Sequence, residues 1–383
     1  VRRSFGAARV NGGPKFIRKS NVFVDESDFF MAVTVSRSLL MHLPELVELQ
    51  RLAAHGGKSL IRVTELANVK HGELSLPIQA FEFGSTRPED PVFFLTGGVH
   101  GLERIGTRVI ISYLKTLTQL ATWDPTTRHL LERVRLSVVP IVNPVGMYLS
   151  RRSNGNGIDL MRNAPVEADD GGSLMLASGH RVSPWLPWYR GQASAEMETE
   201  SKAIVKFFEE QFGRASCVIA LDVHSGFGAV DRIWFPYART RQPFPNLQEI
   251  YKLTHLLDSV YPHHIYKVEP QAASYTTHGD LWDYLYDRRR ESKGSLFLPL
   301  TLELGSWLWI KKNPRQLFSA LGIFNPLLPH RTSRILRRHL NLLDFLLRSA
   351  ASPGAWTSGH GHLQNSSDIE RLAIARWYSN KAA

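Results

Sequence analysis

Phe93-Phe94-Leu95-Thr96-Gly97-Gly98-Val99-His100-Gly101-Leu102-Glu103 is the stretch on which the reading of this chain turns. A run of strand-forming apolar residues stops at a double glycine, and a His-x-x-Glu pair follows where a helical pattern over 105–120 begins. Side chains at i and i+3 share one face of a helix, and glycine lets the backbone turn sharply beside a bound group. Such a pair can grip one metal ion, although a capped helix start with a local ion pair gives the same letters. Catalytic zinc commonly takes three protein ligands and keeps a fourth position for water, so a third donor is required elsewhere.

The candidate is His224, in Val218-Ile219-Ala220-Leu221-Asp222-Val223-His224-Ser225-Gly226. Here too an apolar strand ends on a polar residue, and open α/β sheets place their sites at the carboxyl ends of their strands. Two strand ends can therefore bring His224 to His100 and Glu103; taken alone, His224 reads equally well as a core histidine bonded to backbone. Cys217 is the single cysteine, which excludes an internal disulfide framework and a thiolate cluster, so metal binding must use His and carboxylates.

Outward from these two stretches, short apolar runs at 60–63, 78–83, 92–95, 136–142, 217–221 and 296–302 read as strands. Residues 105–120, 196–211 and 335–347 read as helices. Strands that are apolar throughout are buried on both faces, and their alternation with helices predicts an α/β fold. The chain has 383 residues, 43% of them hydrophobic, enough for a substantial core.

The formal charge of +11 invites a test for anionic partners. Its excess lies in an opening arm (Arg2, Arg3, Arg9, Lys15, Arg18, Lys19) and in Arg288-Arg289-Arg290, Arg334, Arg337 and Arg338. These read as a flexible start and solvated helix faces, not as a basic platform interleaved with aromatics, so no nucleic acid partner is expected. A non-catalytic binder of an anionic polymer is the reading from a different class. No window reaches the roughly 18 apolar residues of a membrane span. A cytoplasmic location is expected, or a periplasmic or secreted one if a leader was removed before Val1; oligomeric state is left open.

The combination of His-x-x-Glu with a downstream strand-borne histidine resembles the zinc metallocarboxypeptidase superfamily. Other segments agree in order. Asn143-Pro144-Val145-Gly146 is similar to the family's Asn-Pro-Asp-Gly turn, and Arg152-Ser153-Asn154-Gly155-Asn156-Gly157-Ile158-Asp159-Leu160-Met161-Arg162-Asn163 resembles its Arg-x-Asn-x-Asn-Gly-Val-Asp-Leu-Asn-Arg-Asn stretch. Tyr189-Arg190-Gly191, Glu198-Thr199-Glu200 and Thr301-Leu302-Glu303-Leu304-Gly305 extend the likeness over residues 90–305.

The resemblance implies a three-layer α/β/α sandwich around a mixed, mostly parallel twisted sheet. It implies one Zn2+ per chain on His100, Glu103 and His224, with Glu303 as general base. Arg152 stands at the family's oxyanion arginine, with Arg151 as its rival, and Asp159 at the aspartate that orients the first zinc histidine. Arg162 and Asn163 are carried over as substrate-binding residues, but Met161 sits where the family has an asparagine, which removes one donor to a terminal carboxylate. Tyr275 resembles the family's lid tyrosine, or is a packed loop residue. Leu281 would line an apolar specificity pocket, whereas Asp280 beside it would suit an amine-bearing side chain; Trp234 and Tyr237 are wall or core. Asp222 either orients a histidine or ends a strand.

The implied activity is amide hydrolysis of a peptide-like substrate, by a carboxypeptidase. A deacylase of small N-acyl amino acids, like the aspartoacylase and succinylglutamate desuccinylase branch, is the alternative within the superfamily. The expected organisation is an N-terminal extension over 1–45 with a short helical element at 27–43, a zinc hydrolase domain over 46–350, and a C-terminal loop and short helix over 351–383. His360 and His362 fall in that loop and read as solvated.

Overall fold

The computed structural model describes residues 37–55, 60–292, 295–358 and 366–379. One compact unit runs from Ser38 to Ala383. Its frame is an eight-stranded sheet of order β1-β2-β4-β3-β5-β8-β6-β7. The strands are β1 (Arg62–His71), β2 (Leu74–Gly84), β3 (Val92–Gly97), β4 (Arg135–Val139), β5 (Cys217–Ser225), β6 (Arg232–Phe235), β7 (Lys267–Pro270) and β8 (Leu296–Leu304).

The central ladder β4-β3-β5-β8 is parallel throughout. Antiparallel pairings join β1 to β2, β2 to β4 and β6 to β8, so the sheet is mixed around a parallel centre. Every residue of β3 and β5 is buried, as the apolar runs that open both strands require where a sheet is covered on both faces.

The longer helices are α1 (Pro44–His55), α2 (Arg104–Trp123), α3 (Thr199–Phe212), α4 (Leu247–Val260), α5 (Leu281–Glu291), α6 (Pro329–Ala351) and α7 (Ser366–Trp377). Side chains alternate along β3, and Phe94 meets Phe207, Phe208 and Phe212 of α3 and Trp282 of α5. The packed pair α2 and α6 covers β3 and β5. This is the expected α/β layering.

Several elements depart from their expected limits for local reasons. β4 ends at Val139 because Pro140 has no N–H for the ladder; beyond it, Val142 and Asn143 donate instead to Gly97 and Gly98 carbonyls. β6 and β7 have four residues each, too few to carry a period, whereas the 14-residue α4, with Leu247, Ile250, Leu253, Thr254 and Leu257 buried, carries a helical period that the sequence reading missed. The region after residue 351 is more structured than a loop. Pro353–Thr357 is a short helix with Trp356 buried and donating to Ser349 O, and α7 packs on α4. Trp377 then donates to Val268 O of edge strand β7, covering part of an edge that would otherwise be open. His360 and His362 lie outside the described residues.

Candidate active site

β3 and β5 stop side by side, and β8 stops beside β5, so their carboxyl ends form one edge. After β3 the chain turns through Gly98, whose φ of 64° favours glycine. Gly101 then passes so close to Gly146 that a Cβ would stand 2.0 Å from its carbonyl carbon. Only a glycine admits that approach, and the turn it permits delivers His100 and Glu103 just ahead of α2.

His100, Glu103 and His224 converge, each less than 5% exposed. His100 Nδ1 lies 2.8 Å from Glu103 Oε1, and His224 Nδ1 lies 3.0 Å from Glu103 Oε2 and 3.2 Å from His100 Nδ1. The far nitrogens are held by carboxylates: His100 Nε2 is 3.0 Å from Asp159 Oδ1, and His224 Nε2 is 2.7 Å from Asp222 Oδ2. A carboxylate on Nε2 fixes the proton there and turns the Nδ1 lone pair inward. Two inward lone pairs at this separation, with a carboxylate beside them, repel one another unless positive charge, a proton or a metal ion, sits among them. Two imidazoles and a carboxylate are also a set that zinc accepts, so the residues fit the ion that the motif implies.

Electrostatics point the same way. Burial opposes charge on Glu103, yet the two imidazoles hold its carboxyl far below the usual range. His224 is also disfavoured as a cation by burial, and Asp222 and Glu103 nevertheless raise its pKa well above the ordinary value. Asp222, the residue whose role the sequence left open, accepts from Thr96 Oγ1 and Trp282 Nε1 as well as facing His224. Asp159 accepts from Arg152 Nε at 2.8 Å and from Met161 N.

Glu303 is the register partner of His224 across β5 and β8, and the Phe227 N–H donates to its Oε1 at 3.0 Å. Burial, reinforced by the charge of Glu103, pushes this carboxyl up to about 8, against the pull of His224, the Phe227 N–H and Arg152. A group balanced in this way exchanges a proton near neutral pH.

Residues 44–306 match the family model described as zinc carboxypeptidase. The chain belongs to the zinc carboxypeptidase family. Among relatives, Carboxypeptidase SOL1 of Arabidopsis thaliana is 25% identical over 264 residues, which is 66% of this chain and 48% of that protein. Carboxypeptidase A1 of Rattus norvegicus is 24% identical over 220 residues, 55% of this chain and 50% of that one. The match thus spans about half the length of these two relatives. The fold is similar to that of thrombin activatable fibrinolysis inhibitor, with a TM-score of 0.60 and 16% identity over 79% of this chain and 72% of that one. It is similar also to carboxypeptidase A from Helicoverpa armigera, with a TM-score of 0.58 and 20% identity over 80% and 72%.

In this member of the family His100, Glu103 and His224 open into a cleft of about 600 Å³. Arg152, Met161, Arg162, Tyr275 and Glu303 line it. Arg152 reaches Glu103 Oε1 at 3.4 Å in addition to Asp159, whereas its neighbour Arg151 is exposed and lines an adjoining cavity. Arg162 is buried and donates to Ala177 O through Nε and Nη2 and to Met161 O through Nη1. Those three bonds leave two of its five N–H groups for a ligand.

Other expected residues are placed elsewhere. Asn163 ties two loops together, donating to Arg190 O and accepting from Glu198 N, and is not among the residues lining the cleft. Leu281 is 2% exposed at the start of α5, directly after the Asp280 cap, and packs in the core, away from the cleft lining. Asp280 itself is buried, with one oxygen engaged by Trp282 N and Asp283 N. Tyr237 donates to Asp287, but Trp234 does line the cleft. Sequence reading missed Thr301, Gln271, Phe227, Leu174 and Trp188, all in the lining. Thr301 was available from period two, since it shares a strand face with Glu303; Leu174 and Trp188 come from irregular backbone that carries no period.

Proposed function

We propose that the protein is a zinc-dependent hydrolase that cleaves the amide bond ahead of a terminal, carboxylate-bearing residue, as a carboxypeptidase does. The observation that carries this reading is the convergence of His100 Nδ1, His224 Nδ1 and Glu103, with both far nitrogens held by carboxylates. Zinc held there supplies a water of lowered pKa and polarisation of the scissile carbonyl.

The chain's own groups supply the rest. Glu303 takes a proton from the attacking water on its carboxylate and returns it to the departing nitrogen, a role suited to a buried carboxyl that titrates near neutrality. Arg152, pinned by Asp159, presents a fixed positive charge to the oxyanion, and such a preset charge stabilises it without reorganisation. Arg162 offers its two remaining N–H groups to the substrate carboxylate. Tyr275 lines the cleft near Phe227 and Trp234.

Met161, which lines the cleft in place of a second polar donor, favours a second reading. The lost donor loosens the hold on a peptide's terminal carboxylate, which leaves room for a deacylase of small N-acyl amino acids. The test is hydrolysis of peptides with free and amidated C-termini beside N-acyl amino acids. Cleavage of free-ended peptides, abolished by amidation, supports the carboxypeptidase. Turnover of N-acyl amino acids with inert peptides supports the deacylase, and an inert zinc-loaded protein contradicts both.

A further inference from the structure

One buried donor in the cleft has no role in the chemistry above. Trp234 is 4% exposed and its ring lines the cleft, yet its Nε1–H has no hydrogen-bond partner among the described residues. Buried indole N–H groups usually find an acceptor, and an unsatisfied one costs stability. A native group left in that state calls for an explanation, and a missing ligand atom is one.

The surroundings support that explanation. Trp234 of β6 is the direct register partner of Thr301 of β8, two residues from Glu303, so indole, hydroxyl and base stand on one face of the sheet. Gln271, just past β7, adds an amide to the same cleft. Much of the remaining lining is apolar, including Leu174, Ala177 and Phe227. Carboxylates in the described lining are Glu103 and Glu303, both already engaged, so no counter-ion is left for a basic side chain.

We infer that Trp234 determines specificity: its indole N–H receives a hydrogen-bond acceptor at the tip of the substrate's side chain, so a carboxamide is preferred over a thioether or alkyl group of similar size. Thr301 and Gln271 serve the amide's remaining polar atoms. This rests on the hydrolase reading. A site built around a hydrogen-bonding group rejects analogues lacking the partner more sharply than an apolar pocket rejects a change of size.

The experiment compares substrates whose released residue is Gln or Met, with wild type and Trp234→Phe. In parallel, calorimetry measures free L-glutamine and L-methionine binding to both proteins. Wild type should favour glutamine about tenfold or more in kcat/KM and in affinity, the scale of one hydrogen bond to a buried donor. Phenylalanine keeps the ring packing, so Trp234→Phe should lose that preference by a fall on glutamine alone; a general packing defect would lower both substrates together. Methionine bound or cleaved as well as glutamine by wild type, neither ligand being bound, or an unchanged ratio in Trp234→Phe, overturns the inference. Failure to cleave either substrate while glutamine is still bound selectively counts against the hydrolase reading and supports the role of Trp234.

Discussion

Glu303 carries the proton in this account, and its environment sets both the size and the pH dependence of its effect. Glu303→Gln keeps the shape and removes the basic oxygen, so kcat should fall about 10²- to 10⁴-fold with KM little changed, the usual range for a lost general base. Glu303 is not one of the converging donors, so the variant should bind zinc as wild type does. The base works only when ionised. Burial and Glu103 raise its pKa towards 8, and a cation beside Glu103 offsets part of that rise. Wild-type kcat/KM should therefore climb with pH along a limb between the ordinary carboxyl value and about 8, and a profile of Glu303→Gln should lack that limb. An unchanged limb would move the base elsewhere.

Two elements bring their own predictions. Arg104, at the start of α2, donates to Glu45 of α1 and to the carbonyls of His42 and Met147. Glu45 is 2% exposed, and stripping one partner from such a buried pair costs about 3 kcal/mol or more. Glu45→Ala should show that loss in urea unfolding, whereas Arg108→Ala, whose longer contact to Glu45 is half exposed, should cost less than about 1 kcal/mol.

On α6, His339 is buried beside the Tyr266 hydroxyl, with Asp231 Oδ2 3.7 Å from its Nε2, and burial, with Arg338 adding, pushes its pKa down to about 3. The unfolded chain binds that proton near pH 6.5 and the folded one does not, so stability falls as pH drops from 6.5 towards 3. Between about pH 7 and about pH 5 wild type should lose roughly 2 kcal/mol that a His339→Gln variant, otherwise compared with itself, does not lose. Equal losses would mean that His339 is not buried neutral.

Strands β3, β5 and β8 were readable because burial on both faces demands the apolar runs with which each begins. The short strands β6 and β7 were not, since four residues draw their stability from neighbours and carry little pattern of their own. Leu281 shows the same limit within one turn: the resemblance implied a pocket wall, but at the start of α5 the side chain packs in the core.

At the scale of the whole molecule, the sheet order explains why residues so far apart in sequence act together. β3, β5 and β8 are neighbours, so His100 with Glu103, His224 and Glu303 each follow or end a strand at one edge. That arrangement was legible because strand ends are a physical place, common to every open parallel sheet. The cleft walls were less so, because Leu174, Trp188 and Phe324 reach it from irregular segments and short helices whose positions depend on the completed fold. Several strongly charged groups are consumed internally: Arg190 pairs with Glu167, Arg232 with Glu269, and Arg289 donates to Phe212 and Ala215 carbonyls. Net charge alone therefore says little about a polymer-binding face.

The central claim is that one cation is held by His100, Glu103 and His224, and elemental analysis of purified protein tests it most directly. Wild type and Glu303→Gln should each carry about one zinc per chain, and His224→Ala, folded by circular dichroism, should lose it, as expected when one of three protein ligands is removed. Zinc retained by folded His224→Ala at the wild-type ratio would contradict the account.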